Sequence, residues 1–370
     1  MKDIFKIMKN RLILVALLLS GSVFVFSQGN PGNNIIRLGL LIQDSTSLAA
    51  KYGAELAVTE ANEKAGKSGA RFEILTKSME GPWGTGSKQA VDLIFGKNVW
   101  ALIGSHDGRN AHLVEQAATK SRVVMLSAWA GDPTLSQAFV PWFFNCVPND
   151  NQQAEAIFQN LNATNSRAVI IPDDTYDSGS LLKSLMFLLK KPGGKNPVVI
   201  NIGKDDSWFK KLKDIISRKE ADEIILLCSP SNTLRFAAFI KENRVNLPVI
   251  TSHYSINESL VNSRTLDTFY HNISVPMLKW NRDNFSDFKA KYINKYGSEP
   301  GFAASFSYDA TCLLIEAIRK AGSSEREEIQ KAIALIDFNG VTGRIMFDEK
   351  GNRKFQTVLT KLSDIFPHRR

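Results

Sequence analysis

VWALIG (Val99–Gly104) is an apolar run of strand length, followed at once by SHDGRN (Ser105–Asn110), a loop of small and polar residues. A helical stretch from Ala111 to Thr119 comes next, with Leu113, Val114, Ala117 and Ala118 on its apolar side. VVML (Val123–Leu126) predicts a second strand, which empties into SAWAGDP (Ser127–Pro133). Strand, helix and strand in this order make one βαβ unit. In a parallel sheet the two loops sit side by side at the carboxyl ends of their strands, where open α/β folds bind ligands. They predict half of a small-molecule pocket.

The same alternation extends in both directions. IIRLGLLI (Ile35–Ile42) predicts the first strand, QDSTS (Gln43–Ser47) a loop, and Ala50, Ala54, Ala57, Val58 and Ala61 the apolar face of a helix reaching Lys64. FEILTKS (Phe72–Ser78) is a strand ending at EGPWGTG (Glu80–Gly86), and a helix Ser87–Gly96 returns to the Val99 strand. PWFFNCVPND (Pro141–Asp150), extended and bracketed by prolines, breaks the pattern and predicts a crossover to a second lobe. There AVIIP (Ala168–Pro172) is followed by the loop DDTYDSG (Asp173–Gly179) and helix Ser180–Lys190; further strands are VVINI (Val198–Ile202), EIILLC (Glu223–Cys228) and VITS (Val249–Ser252). ISVPM (Ile273–Met277) predicts the return crossover, and a Phe/Tyr-rich helix, a helix Ser307–Ala321 and GVTGRIMFDEKGNR (Gly340–Arg353) follow. Repeating βα units over 370 residues predict two doubly wound α/β lobes with parallel sheets.

The net charge of +9 comes partly from the N-terminus, where Lys2, Lys6, Lys9 and Arg11 oppose Asp3 alone. No dense basic tract remains, which argues against a nucleic-acid partner. Basic residues followed by the apolar run Leu12–Phe26, with Val25-Phe26-Ser27 at its end, predict a secretory signal over 1–27, cleaved near Ser27. The run is short for a bilayer span, so a periplasmic or extracellular protein is expected. Cys146, Cys228 and Cys312 lie in apolar surroundings; an odd count leaves at least one unpaired, and buried free thiols are expected for all three.

Four patterns in order carry a resemblance to a known family. They are GAELAVTEAN (Gly53–Asn62); LIG (Leu102–Gly104) followed by LSAWAGDP (Leu126–Pro133); Phe288, Tyr292, Tyr296-Gly297 and Pro300 before SYDA (Ser307–Ala310); and F-x-G-x-T-G (Phe338–Gly343) leading to FDEKGNR (Phe347–Arg353). The chain resembles the type I periplasmic binding proteins, in particular the leucine/isoleucine/valine-binding branch. The resemblance implies two Rossmann-like lobes joined by three crossover segments, a ligand in the cleft, hinge closure and a membrane permease of an ABC transporter as partner. After the polar QGNPGNN linker, 28–34, it sets 35–147 as lobe 1 completed by 277–343, and 148–276 as lobe 2 completed by 344–366. A monomer without cofactor is expected.

In amino-acid binders of this family, Ser and Thr in two lobe-1 loops hold the α-carboxylate, while Glu and Tyr in lobe 2 grip the ammonium. The matching places here fall at Gly108 or Arg109, Gly131, His253 and Ser229, so the ammonium lacks its counter-ion. Arg109 is the first candidate, a guanidinium placed to grip an anion with help from the Ser105–Asn110 amides. Asp107 suits N-cap duty toward Asn110 as well as ligand contact. His106 is a hydrogen-bonding wall or a packed residue. Trp129, flanked by Ala128 and Ala130, stacks on a planar ligand or fills core, and Trp83 is a weaker counterpart. Tyr176, Ser229, His253 and Tyr254 complete the candidate grip from lobe 2. His106, Asp107 and His253 match no metal motif.

Enzyme signatures are missing. Gly66-Lys67-Ser68 resembles the end of a phosphate loop, but Ala61 stands where its first glycine belongs; no G-x-S-x-G or H-E-x-x-H occurs. The expected function is capture of a small polar or anionic molecule, amino-acid-like or carboxylate, for an ABC transporter. The alternative is a ligand-sensing domain that signals through a partner protein.

Overall fold

The computed structural model describes residues 35–66, 69–82, 84–137, 140–191, 193–262, 270–354 and 356–367. The signal and linker readings over 1–34, the Trp83 reading, and Lys67 and Ser68 of the phosphate-loop reading lie outside these residues. Among the described residues, no helix is long and apolar enough to cross a membrane.

The first sheet contains β1 (Ile35–Ile42), β2 (Arg71–Ser78), β3 (Ala101–Ser105), β4 (Val124–Ser127) and β5 (Phe143–Asn145), in the order β2-β1-β3-β4-β5 and parallel throughout. Helix α1 (Leu48–Ala65) joins β1 to β2 and α2 (Thr85–Val91) leads toward β3, ending in a π-helical turn, Asp92–Gly96. Helix α3 (Gly108–Lys120) joins β3 to β4, and the short α4 (Thr134–Gln137) precedes β5. Central strands have both faces covered: Leu38, Leu40, Ala101, Leu102 and Ile103 are fully buried, which is why these segments read as continuous apolar runs.

The second sheet contains β6 (Ala168–Pro172), β7 (Val198–Val199), β8 (Glu223–Leu227), β9 (Val249–Thr251), β10 (Ile273–Met277) and β13 (Val358–Lys361), in the order β13-β10-β9-β8-β6-β7. All pairs are parallel except β10 with β13. Its helices are α5 (Asp150–Thr164), α6 (Tyr176–Leu189), α7 (Ser207–Ser217), α8 (Pro230–Asn243) and α9 (Glu258–Asn262). ISVPM is therefore a paired strand of the second sheet, and the chain leaves it only after Met277. The pairing of β10 with β9 covers only Ile273 and Ser274, so Pro276 faces no β9 partner and pairs with Leu359 of β13 alone. VVINI contributes only Val198 and Val199, an edge strand with one neighbour and two exposed side chains.

After β10, α10 (Arg282–Tyr296), α11 (Phe302–Ala321) and α12 (Arg326–Ala334) return toward the first sheet, α11 packing along α1. Gly53 lets these two helices touch, since a Cβ there would fall 2.1 Å from the Ala304 carbonyl oxygen. The hairpin β11 (Phe338–Gly340) and β12 (Gly343–Ile345) then leads to β13 and to α13 (Leu362–Ile365).

The motif F-x-G-x-T-G…FDEKGNR is held by buried polar contacts. Arg353 is 1% exposed, and its guanidinium donates to the carbonyls of Cys146, Thr342 and Arg344 and to Thr342 Oγ1. Asp309 accepts from the Val341 and Thr342 amides and from Thr342 Oγ1. Burial draws the Arg353 guanidinium down to about 10, with Asp309 acting in the opposite direction. Gly343 has φ +95°, and a Cβ there would meet the Lys279 carbonyl at 2.4 Å, so glycine is required twice over. One buried cation thus ties three stretches that run between the sheets.

Candidate functional site

A cavity of about 740 Å³ opens between the carboxyl ends of the two sheets. Lobe 1 supplies Gln43, Asp44, Thr46, Ser47, Tyr52, Ser105, Asp107 and Trp129; lobe 2 supplies Thr175, Tyr176, Asp177, Ser229, Tyr254 and Glu258. The β1 loop is shaped by Asp44, whose carboxylate accepts from the Thr46 amide and hydroxyl and from Ser47 Oγ. Burial pushes that carboxyl up, yet these hydrogen bonds prevail and hold it below its ordinary range.

The β3 loop is tied to the β1 loop. The Asp107 amide donates to Gln43 Oε1 at 2.9 Å, and Gln43 Nε2 donates back to Asp107 Oδ2 at 3.0 Å. Asp107 also accepts from the Asn110 amide at 2.7 Å and is the N-cap of α3. The helix thus begins at Gly108 rather than Ala111. Arg109 and Asn110 lie in its first turn; Arg109 is exposed, and neither lines the cavity. The anticipated Arg109 grip is corrected on that ground. His106 also faces away: its buried ring and Met125 fill the space a Gly104 Cβ would take. Burial lowers the pKa of His106 and keeps it neutral.

Two lobe-2 side chains close over the start of α3. Asp177 Oδ1 accepts from the Gly108 amide at 2.9 Å, and Tyr176 Oη donates to Asp132 Oδ2 at 2.5 Å. Asp132 also takes His112 Nε2 at 2.9 Å and the Thr134 amide and hydroxyl. Burial would raise its carboxyl, but hydrogen bonds from His112, Tyr176 and Thr134 hold it well below the usual range. Asp177 has no such support. Burial, with the charges of Asp150, Asp107 and Asp132, drives its carboxyl well upward against the Gly108 amide.

His253 joins the lobes from behind. Its Nε2–H donates to the Trp129 carbonyl at 2.9 Å, and its ring meets the indole edge-on with centroids 5.1 Å apart. Burial draws its pKa down to about 4, against that hydrogen bond, so the ring is a neutral fastener that does not line the cavity. Ala128 and Ala130 are buried beside Trp129. Ser229 is the N-cap of α8, its amide donating to Asp173 Oδ2 at 2.6 Å.

Among the anticipated residues, the structure brings Ser105, Asp107, Trp129, Tyr176, Ser229 and Tyr254 to the cavity wall, with Gly108 at its edge. Those missed include Gln43, Asp44, Tyr52, Asp177, Glu258 and Tyr292. QDSTS, directly after β1, carries the same strand-end signal as the loops after β3 and β4. Among the described residues no group of three or more His, Cys, Asp or Glu could hold a metal ion. The three cysteines are free thiols, with burial pushing Cys146 and Cys228 up to about 12.

A family model described as "Receptor family ligand binding region" matches residues 50–364. The chain belongs to this family. Glutamate receptor 3.4 of Arabidopsis thaliana is 24% identical over 351 residues, covering 82% of this chain and 36% of that receptor. The chain thus spans about a third of that relative's length. Its fold is shared with a branched-chain amino acid transporter substrate-binding protein of Streptococcus pneumoniae, solved with isoleucine: TM-score 0.72, 20% identity, 86% of this chain and 93% of the other. A solute-binding protein of Rhodopseudomonas palustris, solved with 3,4-dihydroxybenzoic acid, gives 0.73 at 16% identity, over 86% and 91%. This receptor-family ligand-binding region therefore has the type I periplasmic binding fold, that of non-enzymatic binding proteins and receptors.

Proposed function

We propose that the chain is an extracytoplasmic solute-binding protein, exported by its N-terminal 1–27 segment, that closes on a small polar molecule and delivers it to the permease of an ABC transporter. One observation carries the reading. The cavity of about 740 Å³ is walled by side chains of both lobes, and these meet at its edge through the Gly108–Asp177 and Asp132–Tyr176 hydrogen bonds. A ligand filling it contacts both lobes at once and so favours the closed arrangement over the open one.

The test is a thermal-shift screen of the mature protein with small-angle scattering on any hit. A ligand at a thousand times its dissociation constant stabilises by about 4 kcal/mol, a visible rise in melting point. Transport predicts that the liganded protein, as a monomer, stimulates ATP hydrolysis by the reconstituted permease. The receptor relatives favour a second reading, a sensor whose closed form is passed to a signalling protein. Ligand-dependent binding to such a partner, with no stimulation of the permease, would select it.

A further inference from the structure

Resting on the reading of this chain as a solute-binding protein, we propose that its cleft takes a small organic cation: an amine with an apolar or aromatic body and no carboxylate. The first support is charge. Asp44, Asp107, Asp177 and Glu258 line the cavity, and among the described residues lining it there is no Lys, Arg or His. The second is that three helix starts around the cavity are already taken by the protein's own carboxylates. Helix amides at N-termini are natural anion seats. That of α3 is filled by Asp177 Oδ1 on the Gly108 amide at 2.9 Å. That of α11 is filled by Glu258 Oε1 on the Ala304 amide at 3.1 Å, and that of α8 by Asp173 Oδ2 on the Ser229 amide at 2.6 Å. A ligand carboxylate would find no cation on the cavity wall and these three helix starts already held by carboxylates; the start of α1, Ser47–Ala50, also lines the cavity and carries no side-chain cap.

The third support is the wall itself. Tyr52, Trp129, Tyr176, Tyr254 and Tyr292 all reach the cavity, and aromatic faces attract a cation, more so when both are out of water. Tyr254 adds an independent sign. It is 7% exposed and lines the cavity, and its hydroxyl has no hydrogen-bond partner within the protein. A buried phenol of this kind needs a partner, and an ammonium N–H donating to its oxygen would supply one. Burial raises the carboxyls of both Asp177 and Glu258, as expected of negative charge that no cation neutralises.

The experiment is calorimetric titration of the purified protein with charge-matched pairs. The cations are phenethylamine, tyramine, putrescine and choline; the matched anions are 3-phenylpropanoate and benzoate; phenylalanine and leucine are the zwitterions. The expected result is binding of at least one cation, tenfold or more tighter than its matched acid or zwitterion. Glu258→Gln and Asp44→Asn keep their acceptor oxygens, so their melting points should hold. Each should weaken the amine tenfold or more while leaving the acids no weaker; loss of packing would not act on one sign of charge alone. Tighter binding of an acid or a zwitterion overturns the cation assignment and leaves the solute-binding reading standing. Silence across all three charge classes overturns both.

Discussion

Gly108→Ala separates local helix preference from lobe closure. Gly108 is the first residue of α3, and alanine there is favoured over glycine by up to about 1 kcal/mol as helix former. The tertiary structure opposes it. A Cβ at 108 would lie 2.8 Å from Tyr176 Cε1 and 3.1 Å from Asp132 Cβ, where carbon atoms rest at about 3.5–4.0 Å. The Tyr176 ring can swing away, but only by giving up its 2.5 Å hydrogen bond to Asp132. A hydrogen bond to a charged group contributes about 1.5–3 kcal/mol. Because Tyr176 is 40% exposed, water recovers part of this, leaving about 1–2 kcal/mol against closure. That is roughly a 5- to 30-fold loss in the closed-to-open ratio. Small-angle scattering should show a larger radius of gyration without ligand, hydrogen exchange at the start of α3 should quicken by that factor, and the melting point should stay put or rise. Tyr176→Ala removes the obstructing ring and leaves only the 3.1 Å approach to Asp132 Cβ, so adding Gly108→Ala to it should cost clearly less than Gly108→Ala costs alone. Unchanged scattering and exchange in the single variant, or a full additive loss in the double, would refute the steric argument.

Asp150 is 2% exposed, and burial pushes its carboxyl up to about 7, the Asp132 charge adding to this and a Ser180 hydrogen bond opposing it. A raised folded pKa means stability that is complete below the unfolded value of about 3.8 and lost as pH climbs toward 7. Asp150→Asn should therefore gain on the wild type by about 2–3 kcal/mol more at pH 8 than at pH 5 in urea melts; equal gains at both would contradict this. Arg353→Ala leaves the Asp309 carboxylate buried without its cation and should cost about 3–5 kcal/mol, read as a fall in the denaturation midpoint. Replacing His253 with Phe removes the donor to the Trp129 carbonyl and should destabilise by about 1–3 kcal/mol at neutral pH, whereas a positive role for a protonated ring would show only below pH 5. Arg109→Ala should leave affinity for the bound ligand within twofold, because the side chain does not line the cavity; a tenfold loss would restore it to the site.

The alternation of strands and helices was legible because its signals are local. Val99–Gly104 and Ala168–Pro172 are apolar runs closed by turn residues, and each became a strand. Phe288 and Tyr292 lie buried on α10, and Ser307, Asp309 and Ala310 on α11, with Tyr308 half-buried. The loop after β3 is legible, but its helix starts at Gly108, three residues before the Ala111 that the apolar pattern predicts. On a helix each residue turns about 100°, so that offset is enough to carry Arg109 from the cleft to the outside. ISVPM is extended and precedes the passage out of the second sheet; that it also pairs within that sheet depends on β9 and β13, strands elsewhere in sequence.

Residue order by itself determined the repeating α/β architecture and the strand-end loops that line the cavity. These follow from periodicity, turn chemistry and chain length, all local properties. Only the tertiary structure decided the sign of charge in the cleft. Asp177 reaches the Gly108 amide from 69 residues away, and Glu258 reaches Ala304 from 46. No pattern in either segment announces that its carboxylate will occupy another lobe's helix start. A helix N-terminus attracts whichever anion packing brings within reach, and packing is a property of the folded whole.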